Sequence, residues 1–372
     1  MNFILGILFS IVVVSILALI PWVGVWALDL RYFFGVIVPY AAIAVFILGI
    51  IYRVFSWARS PVPFRIPTTA GQQKSLPWIK HNQFDNPSNT LGVIVRMAFE
   101  ILLFRSLFRN TSLEFRHGTR ITYEWEKWLW IAALAFHYSF LVVVLRHLRF
   151  FTEPIPAFVH WIENLDGFLE MGIAPFSGFS VPGILISGFV LLAALTYLFL
   201  RRLYVSKTRY ISLPADYFPL FLIIGIAGTG VIMRYMGVFM QFVFGVDWFT
   251  VPVVNVKELA MGLITFHPVI PENIGTIFYI HLFLVCTLLF YFPFSKLMHM
   301  GGIFLSPTRN LSNNNRMVRH INPWDYPVKT HTYAEYEDEF REKMVEAGLP
   351  VEKMPEAAAE DEAGSSEEAE KE

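Results

Sequence analysis

The sequence predicts an all-α membrane protein with six transmembrane helices, and three observations carry that prediction. Hydrophobic residues make up 55% of the 372-residue chain and charged residues only 16%, against roughly a quarter charged in an ordinary soluble domain. The apolar residues gather in runs long enough to cross a hydrocarbon core about 30 Å thick, rather than recurring as one face of a surface helix. Basic residues concentrate in alternate connections, an asymmetry that the formal net charge of −1 conceals.

The spans read in order as residues 3–27, 33–54, 128–150, 178–200, 216–244 and 275–299. The first is too long, and too closely followed by the second, for a cleaved signal peptide, and no small-x-small cleavage site interrupts it. Trp22, Trp26, Trp57, Trp125, Trp128 and Trp248 stand near span ends, where interfacial aromatics are enriched. The connection from Arg53 to Lys127 carries eleven basic residues, and Arg201, Arg202, Lys207 and Arg209 follow the fourth span. The connection 151–176 carries none, and 246–276 has only Lys257. Positive charge favours the cytoplasmic side, so both termini and the two basic connections are expected there, in a multi-pass protein of the inner (cytoplasmic) membrane.

Within the insertion 55–127, residues 91–108 (LGVIVRMAFEILLFRSLF) are apolar but interrupted by Arg96, Glu100 and Arg105. A seventh crossing would invert the charge pattern of everything after it. The segment is therefore expected to lie as a helix in the cytoplasmic interface, or to be covered by a partner subunit. Residues 1–32 form an extra N-terminal span, 301–355 a cytoplasmic segment, and 356–372 an acidic tail expected to be disordered. The single cysteine, Cys286, reads as a buried structural thiol.

Four of ten histidines fall in two spans: His137 and His147 in the third, His281 and His299 in the sixth. An imidazole inside a membrane is costly unless partnered, although a single one is as readily explained by an interhelical hydrogen bond. A helix turns 100° and rises 1.5 Å per residue, which places His137 and His147 about 15 Å apart on one side and His281 and His299 about 27 Å apart. Because the two spans run in opposite directions, depth pairs His147 with His281 and His137 with His299. Two imidazoles saturate a haem iron and favour electron transfer, and no Cys-x-x-Cys-His occurs for covalent attachment. The expectation is two haem b, one iron held by His147 and His281 near the outer edge and the other by His137 and His299 near the inner edge. Arg146, Arg149 and Arg234 are expected to meet the outer haem's propionates; on the inner side Lys296, Arg201 and Arg202 stand at a suitable depth.

The two histidine spacings together resemble the NarI-like dihaem cytochromes b, whose four ligands map onto His137, His147, His281 and His299. The resemblance covers residues 33–300 and implies a NarI-like antiparallel helix bundle preceded by one extra N-terminal helix. The motifs SLPWIKHNQFDNPSNT (75–90) and INPWDYPVKTHTYAEYEDEF (321–340) are similar to the DsrM group, the cytochrome b subunits of DsrMKJOP complexes. That likeness implies electron exchange with menaquinone or menaquinol near the outer haem, and transfer to a DsrK-like cytoplasmic iron–sulfur partner in dissimilatory sulfur metabolism. Docking is expected on the basic insertion and the tail, with other complex subunits and lipid around it and no nucleic acid.

For quinone proton exchange the outer connections offer His160, Glu163, Asp166, Glu170, Lys257, Glu258 and His267, of which His160 and Glu163 are preferred. Nitrate- or heterodisulfide-linked cytochrome b subunits remain alternatives. So does a haem-free transporter or scaffold, for which Gly225, Gly228 and Gly230 are the one hint, with no repeat-related half to match them.

Overall fold

Each of the six apolar runs contributes a helix among the described residues. The structure, a computed structural model, describes residues 3–61, 74, 80–116, 120–167, 183–244, 249–313 and 331–353. Among them, six helices are long and apolar enough to cross a membrane: Phe3–Trp26, Phe33–Ala58, Lys127–Phe150, Ile186–Tyr204, Pro214–Met236 and Thr276–Phe294. Residues 1–313 form one compact unit and 314–372 a second.

Helix α1 (Phe3–Trp26) is apolar around its circumference and fully buries only Gly6, Ser10, Pro21, Gly24 and Val25, its other residues being half-buried or exposed. Gly24 is required where it stands, since a Cβ there would come within 2.4 Å of the Phe34 ring. A π-helical turn at Phe33–Ile37 leads into α2 (Val38–Ala58).

In the insertion the expected interfacial helix is two helices, α3 (Thr90–Leu103) and α4 (Arg105–Phe108). Asn89 caps α3 by accepting from the Gly92 N–H, and Phe104 (φ 49°) ends it in the left-handed conformation. A hairpin then follows, which an all-α reading did not include: β1 (Thr111–Arg116) pairs antiparallel with β2 (Arg120–Trp125). Alternating polar residues with Leu113, Phe115, Ile121 and Tyr123 suits a pleated surface better than a helix.

Asp85, nearly buried, ties this region together by accepting from Arg105 at 2.9 Å and from Arg109. Burial alone would raise the Asp85 pKa above its ordinary 3.8, but the hydrogen bonds and charges of Arg105 and Arg109 outweigh it and hold the carboxyl below that value. A depressed folded-state pKa stabilises above the unfolded value and is lost as pH falls through the folded one. The insertion is therefore expected to stay packed at neutral pH and loosen below about pH 4. In Asp85→Asn it should already be loose at pH 7, read by limited proteolysis near residues 105–109.

The remaining elements are α5 (Lys127–His147), α6 (Ala157–Asp166), α7 (Ile186–Tyr204), α8 (Ser206–Ile211), α9 (Pro214–Phe244), α10 (Val253–Ile264), α11 (Thr276–Tyr291) and α12 (His299–Leu305). Helices α5, α7, α9 and α11 pack in succession as an arc, with α1 against α9 and α11, and α2 against α11. One buried cluster joins α2, α10 and α11 around Phe34, Leu259 and Tyr279; another joins α7 and α9 around Leu195 and Ile223, with Phe136 and Phe140 of α5.

Two spans differ from expectation. The fourth begins as helix at Ile186, and residues 178–182 lie outside the described ones, as does the acidic tail. The sixth is not one helix to residue 299. After Tyr291 come a 3₁₀ turn (Phe292–Phe294), extended Ser295 (φ −117°, ψ 177°) and a second 3₁₀ turn (Lys296–Met298) before α12. Pro293 explains the break: it donates no backbone hydrogen bond and its ring crowds the preceding turn. Gly49 of α2 lies against it, where a Cβ would be 2.6 Å from the proline ring.

In the second unit, α13 (Tyr333–Glu346) opens with a capping box between Thr332 and Glu335. Its buried Glu337 accepts from the backbone N–H groups of Glu352 and Lys353, which together with Arg341 hold its carboxyl below the usual range.

Candidate functional site: paired imidazoles between the third and sixth spans

Helix α5 is unbroken from Lys127 to His147, so both of its histidines keep the separation that helical geometry dictates. Opposite them, His281 lies one and a half turns into α11, and His299 starts α12 just beyond the proline break. The rings of His137 and His299 lie 6.1 Å apart between centroids, nearly perpendicular at 85°. A metal–imidazole nitrogen bond is about 2.0–2.1 Å, and the ring centroid lies about another ångström beyond the nitrogen. Two rings at this spacing therefore leave room between them for one metal atom. At the other level, His281 sits within electrostatic reach of His147.

The hydrogen bonds fix which nitrogen each imidazole offers. The Nδ1–H groups of His137, His147 and His299 donate to the carbonyls of Ala133, Val143 and Lys296, at 2.7, 2.6 and 2.9 Å. His281 Nδ1 is 2.9 Å from Thr229 Oγ1, whose own proton goes to the Gly225 carbonyl at 2.8 Å. Thr229 is thus an acceptor for the Nδ1–H of His281. A carbonyl or hydroxyl on Nδ1 selects the tautomer whose Nε2 lone pair is free, the arrangement expected of a metal ligand. Among the described residues, nothing hydrogen-bonds the Nε2 of any of the four. Gly230, over the His281 ring, leaves space that a larger residue would occupy, a Cβ there reaching Cε1 at 3.5 Å.

This donor set fits haem. Among the described residues no three of His, Cys, Asp and Glu converge on a common point, so each imidazole pair would need a metal that brings its own equatorial ligands. Porphyrin iron does.

Arg146, Arg149 and Arg234 lie toward the His147 end of the spans but already have protein partners. Arg146 pairs with buried Asp166 at 2.9 Å and donates to Ser187 Oγ; Ser187 in turn donates its N–H and hydroxyl to Asp166, both at 2.6 Å. Arg149 donates to Glu163 at 2.8 Å, and Arg234 to the Gly183 carbonyl at 3.0 Å. His160, more than half exposed, lies 3.8 Å from Glu163 on the same face of α6. His267 donates to the carbonyl of Thr265, two residues earlier, and Lys257 pairs with Glu153. Glu170 lies outside the described residues.

Three contributors have no counterpart in the sequence reading: Thr229, Ser187 and Phe104. Thr229 is 52 residues from His281, and no spacing rule connects them. Phe104 packs edge-on against His137 at 4.9 Å, bringing the insertion to the His137–His299 pair.

A family model, the nitrate reductase gamma subunit, matches residues 92–320. The chain belongs to that family. In this nitrate reductase gamma family member the matched region holds all four span histidines, and α1 and α2 precede it. Two relatives carry the name Hdr-like menaquinol oxidoreductase cytochrome b-like subunit. The protein of Archaeoglobus fulgidus is 46% identical over 299 residues, covering 78% of this chain and 83% of its own. That of Archaeoglobus profundus is 42% identical over 293 residues, covering 77% and 81%. Membership and the six apolar helices together make this an integral membrane protein of cytochrome b type.

Proposed function

We propose that this protein is the dihaem cytochrome b subunit of a menaquinol-linked oxidoreductase complex, exchanging electrons with the quinone pool at the outer side and with a cytoplasmic iron–sulfur partner at the inner side. The observation that carries it is the juxtaposition of His137 with His299, 6.1 Å apart with Nδ1 of both rings engaged. In this reading His147 and His281 hold a second haem nearer the outer surface, and the basic connections and both termini face the cytoplasm. Haem b held between such pairs would supply one-electron exchange rather than oxygen chemistry. The chain's own part is to fix the imidazole tautomers, space the two sites along α5, and exclude water with Phe136 and Phe140.

Proton exchange with quinol falls to the α6 surface, where His160 is exposed and Glu163 is shared with Arg149. The names of both relatives support menaquinol as the electron partner. The insertion and tail motifs favour a DsrK-like partner in dissimilatory sulfur metabolism, while "Hdr-like" in both names keeps a heterodisulfide-linked complex as the second reading.

The deciding experiment is a reduced-minus-oxidised spectrum of the purified protein, followed by reduction with a menaquinol analogue with and without a quinone-site inhibitor. Absence of b-type bands sinks the proposal; bands that quinol does not reduce sink its quinone half. Thr229→Val tests the outer site more finely. It takes the acceptor from His281 Nδ1–H, and loss of such a support weakens metal holding or activity by about 10–100-fold. The expected result is selective loss of one haem during dilution, with the other retained.

A further inference from the structure

The insertion contains a buried cation that, among the described residues, has no direct ion pair, although Glu100 and Asp85 act on it at longer range. Arg96 of α3 is 5% exposed. Its Nε is enclosed without a hydrogen-bond partner, and among the described residues no ion pair reaches its guanidinium. A guanidinium does not shed its proton in a protein, and burying it without an anion is costly. The carboxylates nearby are committed. Glu100 accepts from the backbone N–H and hydroxyl of Ser106 and lies 3.9 Å from Arg309; Asp85 holds Arg105 and Arg109. Four arginines here share two carboxylates, an excess of two positive charges.

The surroundings identify the missing anion. The last carbonyls of α3, which a helix leaves unsatisfied, are capped from α5: Trp130 Nε1 donates to Leu103 at 2.8 Å and the Tyr138 hydroxyl to Leu102 at 2.9 Å. Tyr138 is the neighbour of His137, whose ring Phe104 touches. Leu103 follows Arg96 by two helical turns and lies on the same face. Arg309, beside Glu100, stands on the segment that leaves α12, which begins with His299. The helix that carries Arg96 is thus tied at its C-terminal end to α5 beside His137, and its Glu100, one turn after Arg96, meets the segment that leaves α12. The cations that sequence placed at this depth are occupied: Lys296 by Asp216 at 2.7 Å, Arg201 by Glu126 at 2.8 Å, and Arg202 by Ser212.

We infer that Arg96 binds a propionate carboxylate of the inner haem, so that the cytoplasmic insertion forms part of the cofactor site. This rests on the dihaem reading above.

The test compares Arg96→Gln and Arg96→Lys with the unaltered full chain in membranes, by redox titration of the haem bands and low-spin electron paramagnetic resonance. A His299→Ala chain identifies the inner haem's signals. Removing a positive charge beside an iron favours its ferric form. Arg96→Gln should therefore lower the inner haem's potential or abolish that haem, leave the outer haem's potential and resonance unchanged, and be largely rescued by Arg96→Lys. Wild-type potentials for both haems in Arg96→Gln would overturn the inference; that result would point to a lipid phosphate as the anion. Equal loss of both haems in both variants would also overturn it, marking Arg96 as a folding residue. An unaltered chain without b-type bands would sink the function proposed above instead.

Discussion

His281→Ala is expected to remove one of two b-type haems, and His147→Ala to remove the same one. His137→Ala and His299→Ala should each remove the other. In each single variant the haem-to-protein ratio should fall by about half, since loss of one axial imidazole leaves an iron without the saturated bis-imidazole ligation that non-covalent binding relies on. The argument is geometric. Ten residues of unbroken α5 set His137 about 15 Å from His147. Had the sixth span continued as a straight helix, His299 would have stood about 27 Å from His281, far too deep to face His137 if His281 faces His147. The span instead breaks at Pro293, and the His299 ring beyond the break lies 6.1 Å from that of His137. Difference spectra and resonance signals of the four variants check the assignment. Loss of different haems from His147→Ala and His281→Ala would refute the pairing.

The proximity of His137 to His299 was legible in the sequence because it depends on quantities that a linear chain carries: the period of a helix, the direction of successive spans, and the side on which basic residues collect. The same arithmetic failed in detail at His299, because one proline inside an otherwise apolar run ends a helix without changing its hydropathy. The hairpin β1–β2 was missed for a related reason. Its alternation spans six residues on each strand within a charged connection, and reading for twenty-residue apolar runs passes over it. Thr229 and Ser187 were not legible at all: each meets its partner only when two spans pack, and nothing local distinguishes either from other hydroxyl residues in apolar helices. Arg146 and Arg149 were found as residues bracketing His147, but the sequence could not reveal that α6 supplies each with a carboxylate.

Asp166 is where that unforeseen pairing should be most costly to disturb. Its carboxylate is 7% exposed, accepts from the Ser187 N–H and the Ser187 hydroxyl at 2.6 Å each, and forms an ion pair with Arg146 at 2.9 Å. Asp166→Asn leaves Arg146 charged, 13% exposed at its side chain and without its anion. Removing one member of a buried pair costs about 3–5 kcal/mol, chiefly for the charge left behind. The expected result is a correspondingly lower unfolding midpoint in detergent, followed by haem absorbance or circular dichroism. If the penalty is the stranded charge, the double variant Asp166→Asn with Arg146→Gln should recover most of the loss. Additive losses would show instead that each side chain contributes by packing alone. The pair also adjoins His147, so Asp166→Asn has an electronic consequence that a packing defect would not produce. An uncompensated positive charge beside the outer site favours the ferrous state there, and the outer haem's potential should rise while the inner haem's stays put. Arg146→Gln, which strands the carboxylate instead, should move the outer potential the opposite way. Opposite shifts from two variants that are both destabilising would separate the electrostatic role of this pair from its structural one.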